Sequence, residues 1–315
     1  MALLLRDKIL ALLTQFNIEW GKVLEAPPAT YKEWCTELPS KTAMNSYKWL
    51  DSLVQWRKWL GEREIQNLMA RGWDVINEDY EASFGLDKND IEDDNLGLFM
   101  PSIQNLASGG WTFLEELVLE LMSNATTTKC YDGQNFADNV HPVAAGQSFD
   151  NLSDLPMTYE NIWAAINHFK MGVKLPNGKI LKGLKPYAIA CGQSKLRTAE
   201  KYYNNKDLPS GSGEENDLKG RLKPIPNEFF TGAKANHWCV LAKDSSGLLT
   251  PFVVQMRKAP EASTTFDEKT SAFAALKSED FTSFSWRKLL FGGHARGAVT
   301  VTFPHLLWYS DGSGS

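Results

Sequence analysis

The sequence has no run of about 18 consecutive apolar residues, and so no helix of membrane-spanning length. It has no CxxC pair. Cys35, Cys130, Cys191 and Cys239 lie far apart, which excludes zinc-finger spacing and argues against a disulfide scaffold. Free thiols in a reducing compartment are the reading that remains. There is no basic excess: 33 Lys and Arg stand against 38 Asp and Glu, a net charge of −5. A protein whose main task is gripping nucleic acid carries a basic balance or stripe, and this one carries neither overall. No GxxxxGK[ST] string occurs, no GxGxxG opens a helix, and no GxSxG elbow exists. P-loop, dinucleotide and serine-hydrolase chemistries lose their usual carriers. No internal repeat is found. No small-residue cleavage site follows the short apolar run at Leu3 to Leu5, so a secretory signal is not expected.

What is present is an ordinary folded composition with many rings. Hydrophobic residues make up 43% of the 315 and charged residues 23%, and there are 11 Trp. That many large rings need cover, in a core or between subunits.

Leu5, Ile9, Leu12, Leu13, Phe16 and Trp20 recur at three- and four-residue steps, which predicts an amphipathic helix over 3–24, ended by Pro27 and Pro28. In 44–86, Tyr47, Trp49, Trp56, Trp59 and Trp73 are interleaved with Lys48, Arg57, Lys58, Arg63 and Arg71. Alternation around Trp73, Val75, Tyr80 and Phe84 predicts strand. One reading is a two-sided sheet in an ordinary core. Another is a long hairpin that needs a partner to cover its rings. Trp and Arg are the usual anchors of protein contacts, so Trp49, Trp56, Arg57, Trp59, Arg63 and Trp73 are the candidate contacts between subunits. A stacking platform for single-stranded nucleic acid is the competing use, disfavoured by the net charge and the acidic stretch nearby.

The acidic run 87–95 (DKNDIEDDN) fails as an EF-hand, because Ile91 and Glu92 occupy its fifth and sixth positions. A long helix is expected over 98–122, with Gly109 and Gly110 as a potential interruption. Residues 123–156 read as loop, 158–171 as a helix capped by Thr158, and Asn177-Gly178 as a hairpin turn. Residues 186–191 read as a buried strand and 194–203 as a helix. Further strands are expected at 238–242, 251–256, 289–291 and 298–303. The terminal SDGSGS reads as a disordered end or a tag remnant.

Two constellations could carry chemistry. Cys130, Asp132 and His141 share one loop, and could serve as thiol nucleophile, orienter and base. The other reading is a structured loop, since Gly133, Asn135 and Pro142 are turn residues. His237 and Cys239 would share a strand face that a metal could use, but no second ligand pair follows. A buried Cys and a satisfied His is the reading taken. GGHARG at 292–297 leads into a strand and makes a poor phosphate cradle. No cofactor, metal or catalytic residue is assigned.

Several strings resemble the Mu-like phage major head subunit family. They are SYKWLDSLVQWRKWLGEREIQNLMARGWDVINEDYEASFGLDKNDIEDDNLGLFMP (46–101), with EDDNLG at 92–97, then CYDGQNFADNVHP (130–142) and PFVVQMRKAPE (251–261). The resemblance covers roughly 20–305 and is densest at 46–142. It implies an α+β fold of the Hong Kong 97 tailed-phage capsid type. The implied layout is an N-terminal arm (1–41), an extended loop (42–86), a peripheral domain with a spine helix (87–150) and an axial domain (151–235). The remainder of the axial domain and the return strands of the peripheral domain would follow (236–315). It implies hexamers and pentamers of an icosahedral shell around double-stranded DNA, without sequence-specific DNA binding. Implied partners are a separate scaffolding protein, a portal protein and, as further candidates, decoration proteins, with no membrane. The virion, assembled in bacterial cytoplasm, is the implied location. Cross-linking is not carried over, since no Lys–Asn pair can be matched. A Cys–His hydrolase using Cys130 and His141 is the alternative.

Overall fold

The computed structural model describes residues 2–25, 29–47, 73–87, 99–144, 147–173, 180–208, 214–264, 266–267, 272–273 and 288–314. In chain order the helices are α1 (Ala2–Glu25), α2 (Met100–Ser123), α3 (Tyr159–Asn167) and α4 (Gln193–Asn204). The strands are β1 (Thr36–Pro39), β2 (Met44–Tyr47), β3 (Trp73–Ile76), β4 (Glu78–Asp87), β5 (His141–Ala144), β6 (Gln147–Phe149), β7 (Leu152–Ser153) and β8 (Lys185–Cys191). They continue as β9 (Lys223–Pro226), β10 (Trp238–Lys243), β11 (Phe252–Thr264), β12 (Phe266–Asp267), β13 (Ala272–Phe273), β14 (Lys288–Val301) and β15 (Leu307–Ser310). The chain divides into a first unit (1–30, 77–116, 256–298) and a second (31–76, 117–255, 299–315).

The first unit is built on the apolar stripe of α1. Leu12, Leu13, Phe16 and Trp20 are buried against Ile103 and Ala107 of α2, Leu86 of β4 and Phe291 of β14. The Phe16 ring lies 5.0 Å from Phe291 and 5.7 Å from Trp20, and Phe84 stacks on Phe291 at 5.4 Å. Phe84 and Phe291 are direct partners in the antiparallel β4–β14 ladder, which runs from Lys288↔Asp87 to Gly297↔Glu78. Gly109 and Gly110 do not interrupt α2. Gly110 instead allows close approach, since a Cβ there would stand 3.1 Å from Pro260.

The two short strands expected at 289–291 and 298–303 are one strand, β14. The GGHARG string that seemed to separate them lies within the ladder. Its basic side chains face a carboxylate: Arg296 Nε is 3.4 Å from Asp79 Oδ1, and His294 Nε2 is 3.6 Å from the same oxygen.

The second unit holds a five-stranded sheet in the order β7-β15-β10-β8-β9. β10 is central, antiparallel to both β8 and β15, and the residues of β15 (LWYS) are all buried. Continuous apolar strands of this kind are covered on both faces. α3 packs against β10, and α4 against β8 and β9. Thr158 caps α3 by accepting the Asn161 N–H. At the start of α4, a Cβ on Gly192 would stand 2.4 Å from the Phe230 carbonyl oxygen, so the residue there must be glycine. Lys234 Nζ donates to Ser123 O and Asn124 Oδ1, both at 2.8 Å, and so places a cation at the C-terminal end of α2.

Three further expectations change. The helix expected over 158–171 leaves α geometry at Asn167 and continues as a π turn, His168–Gly172. Residues 123–156, expected as loop, include the paired strands β5 and β6 and the edge strand β7. Residues 310–314 of the terminal SDGSGS are held: Ser310 is buried, Asp311 N–H donates to Ser153 O at 3.0 Å, and Gly314 N–H donates to Asp154 O at 2.7 Å. The Asn177-Gly178 turn and most of the acidic run, residues 88–95, lie outside the described residues.

Candidate functional site: the buried loop of Cys130, Asp132 and His141

The loop begins where α2 ends. Thr127 and Thr128 N–H groups both donate to Asn124 O, and Cys130 N–H donates to Gln134 O at 2.9 Å. Gly133 turns the chain with φ +84, a conformation that disfavours any residue with a side chain. Phe136 is fully buried edge-on to Phe252, which pins the loop from below.

The carboxylate of Asp132 stands between the other two groups. Its Oδ1 accepts from Cys130 Sγ at 2.7 Å and from Gln134 N–H at 2.9 Å. Its Oδ2 lies 2.7 Å from His141 Nδ1. The other ring nitrogen, Nε2, is 3.1 Å from Asn151 Oδ1. The imidazole stacks on Phe149 at 4.9 Å. Burial pushes the Asp132 carboxyl up, but hydrogen bonds from His141, Cys130 and Gln134 outweigh it and hold it below the ordinary value. Burial pushes the Cys130 thiol far up, and the Asp132 hydrogen bond adds to that.

This arrangement gives the hydrolase reading no support. A thiol nucleophile needs a base at its sulfur and a depressed pKa. Cys130 instead donates its S–H as a hydrogen bond to a carboxylate, and both Cys130 and His141 are buried. The three donor atoms lie within 4.8 Å of one another, as a metal would require. Their closest separations, however, are hydrogen-bond lengths.

The loop also uses a residue that sequence reading does not single out. Asn151 is buried, and its side chain touches Phe136, Asp138, His141 and Pro304. No local spacing marks it, because Pro304 is 153 positions away.

The other candidates resolve as follows. His237 precedes β10, and its Nδ1 lies 2.7 Å from the Tyr309 hydroxyl, while Cys239 is fully buried in the strand. Cys239 pairs across the ladder with that same Tyr309, so the two residues serve the sheet. Trp73 opens β3 and is paired with Tyr47 at the end of β2, in the β2–β3 ribbon. Its indole N–H donates to Thr300 Oγ1 at 2.8 Å, and Tyr47 OH donates to Gln255 Oε1 at 2.6 Å. The opposite face of the ribbon presents Met44 and Ile76, which are register partners and both exposed. Trp49, Trp56, Arg57, Trp59 and Arg63 lie outside the described residues.

Residues 9–155 match the family model of the Mu-like prophage major head subunit gpT. The chain is 36% identical over 135 residues to the major capsid protein of Escherichia phage Mu, covering 43% of this chain and 44% of that one. It is 32% identical over 165 residues to the Mu-like prophage FluMu major head subunit of Haemophilus influenzae, covering 50% and 54%. The chain thus spans about half the length of the curated relatives it matches. Among solved structures, the procapsid of bacteriophage JBD30 matches with TM-score 0.52 and 24% identity, over 96% of this chain and 74% of that one. A virus-like particle from Pyrococcus furiosus matches with TM-score 0.50 and 8% identity, over 94% and 98%. The chain therefore has the α+β fold of tailed-phage capsid proteins, the Hong Kong 97 type, and its first half is similar to the Mu-like major head subunits.

Proposed function

We propose that this chain is the major capsid protein of a Mu-like tailed phage, a structural subunit with no catalytic role. The observation that carries the reading is the match of residues 9–155 to the Mu-like major head subunit family. Subunits assemble as hexamers and pentamers of an icosahedral shell that encloses double-stranded DNA. One chain makes both the closing contacts of a ring and the contacts that extend the lattice. α1 belongs to the arm (1–41), and the β2–β3 ribbon is the base of the extended loop (42–86). α2 is the spine helix of the peripheral domain (87–150). The axial domain (151–235) carries α3, β8, α4 and β9, and 236–315 returns the chain.

The extended loop lies over a neighbouring subunit, with Trp49, Trp56, Arg57, Trp59 and Arg63 as its contacts. Trp73 stays closest to its own subunit, because its N–H is spent on Thr300. A net charge of −5 suits a wall that leaves packaged DNA mobile. A separate scaffolding protein guides assembly in the bacterial cytoplasm, a portal occupies one vertex, and decoration proteins are further candidates for the outer face.

Negative-stain electron microscopy of the purified protein, alone and co-expressed with a scaffolding protein, tests the reading. Closed shells, capsomer rings or hexagonal tubes are expected. A monomer near the chain mass of 35.3 kDa under every condition overturns it.

A further inference from the structure

Between Glu160 and Glu200 the chain carries no acidic residue: residues 161–199 hold seven Lys and Arg and no Asp or Glu, in a protein whose net charge is −5. Residues 74–94 are the reverse, with nine Asp and Glu against one Lys. Charge of the two signs is thus sorted along the chain. Among the described residues no ion pair joins the two stretches.

The basic stretch gathers charge at Trp163. This half-buried ring of α3 has two cations over it, Arg221 Cζ at 5.0 Å from the ring centre and Lys170 Nζ at 5.9 Å. Local structure brings them there. The π turn that follows α3 carries Lys170, and the Gly220 N–H, donated to Tyr203 O at 2.9 Å, ties the segment bearing Arg221 to the end of α4. Arg221 Nε donates to a backbone carbonyl, Asp217 O, at 2.5 Å. Lys170 and Arg221 are exposed, and among the described residues neither pairs with a carboxylate. Like charge also meets like charge at the start of β8, where Lys185 is the register partner of Lys243. Such cross-strand pairs are destabilising, and a nearby anion relieves them.

β4 presents the complementary surface. It is the outer strand of its sheet among the described residues, and Glu78, Asp79 and Glu81 are exposed along it. Asp79 has Arg296 and His294 beside it, but Glu78 and Glu81 make no ion pair among the described residues. A chain that bears both surfaces can satisfy both by meeting a second copy head to tail. We infer that the surface formed by Trp163, Lys170 and Arg221 is a docking site for the acidic β4 strand of a second copy of this chain. The contact is directional: the basic surface of one copy takes the acidic strand of the next, and the pattern closes into a ring or runs on as a lattice. Opposed charge steers that encounter and rejects a reversed approach. Nucleic acid fits the surface less well, since a nucleic-acid platform leaves its rings to the bases and here cations occupy the ring. The inference rests on the proposed assembly of copies and names one contact within it.

Sedimentation of the full chain, under conditions in which the parent forms shells, rings or tubes, tests the contact. Lys170→Glu with Arg221→Glu is expected to lower the assembled fraction about tenfold or more, and Glu78→Lys with Glu81→Lys to do the same. Combining the four substitutions should restore assembly, because it exchanges the signs across the contact. Circular dichroism of the dispersed subunit checks that each variant folds. If either double variant assembles as the parent does, or the fourfold variant stays dispersed, the inference is overturned and the assembly reading stands on the parent. A parent that never assembles removes both. Shells that form normally from Lys170→Glu with Arg221→Glu but retain less DNA would overturn the inference and assign the surface to nucleic acid. Should a variant fail to fold, the salt dependence of parent assembly decides: an assembled fraction unchanged from about 0.05 M to about 0.5 M salt overturns the inference, and a steep fall supports it.

Discussion

Trp20 occupies the space that a side chain at Gly293 would need: a Cβ there would meet the indole at 2.8 Å. Because the indole is buried, it has little freedom to give way. Gly293→Ala should destabilise the dispersed subunit by about 1–3 kcal/mol, through overpacking. Phe16→Ala should cost more, about 3–5 kcal/mol, since it opens a cavity among rings. Denaturant unfolding gives the order. Replacing Trp20 by Leu should recover part of the Gly293→Ala loss, and additive losses would refute the contact.

Asp132 carries an acid limb of stability. Its folded pKa is lowered, so near the ordinary carboxylate range the unfolded chain binds more protons than the folded one. The contribution is complete above the unfolded pKa and is lost as pH falls through the folded one. Asp132→Ala, which strands His141, Cys130 and Gln134 N–H together, should cost roughly 3–5 kcal/mol at neutral pH. The gap from the parent should shrink below about pH 4, measured by denaturant midpoints across pH.

His305 acts in a higher window. Burial, with His141 adding to it, pulls its pKa from 6.5 to about 3. Between those values the unfolded chain takes up a proton that the folded one refuses, so stability falls as pH falls. Each pH unit costs up to about 1.4 kcal/mol. His305→Phe should flatten the slope in that window, whatever it does to stability at neutral pH.

Cys130 should be inert. With its pKa raised and its S–H donated to Asp132, it should label with iodoacetamide at neutral pH far more slowly than a free thiol. Mass spectrometry of the native protein checks this, and rapid stoichiometric labelling at Cys130 would revive the hydrolase.

Trp56→Ala and Trp59→Ala test the ring-rich segment as a contact between subunits. Each should lower shell yield or heat resistance while leaving the circular dichroism of the dispersed subunit intact. Truncating a Trp anchor at an interface typically costs about 2 kcal/mol or more. Shells as heat-resistant as the parent would remove these rings from the interface.

Much of the fold is legible from periodicity. α1 follows from six apolar positions at helical spacing, and β8 with α4 from a buried run followed by a polar helix. The β14 ladder is not legible, because GGHARG looks like an interruption until Asp79 is seen opposite Arg296. β15 is hidden for a related reason: its apolar run leads into small polar residues that look loose, yet Ser153 and Asp154 hold them. At the candidate site, the gathering of Cys130, Asp132 and His141 is visible in one loop. The order of contacts is not. A carboxylate placed between thiol and imidazole turns a catalytic-looking set into a brace, and Asn151 reaches it from outside the motif.

The place of β15 in its sheet also has a consequence for synthesis. β15, which follows its sheet partners in the chain, is inserted between β10 and the earlier β7. Until residue 310 clears the ribosome, one edge of β10 keeps its amides and carbonyls open to any passing strand. A nascent chain cannot finish this sheet early, so its completion is timed to the end of translation of these residues.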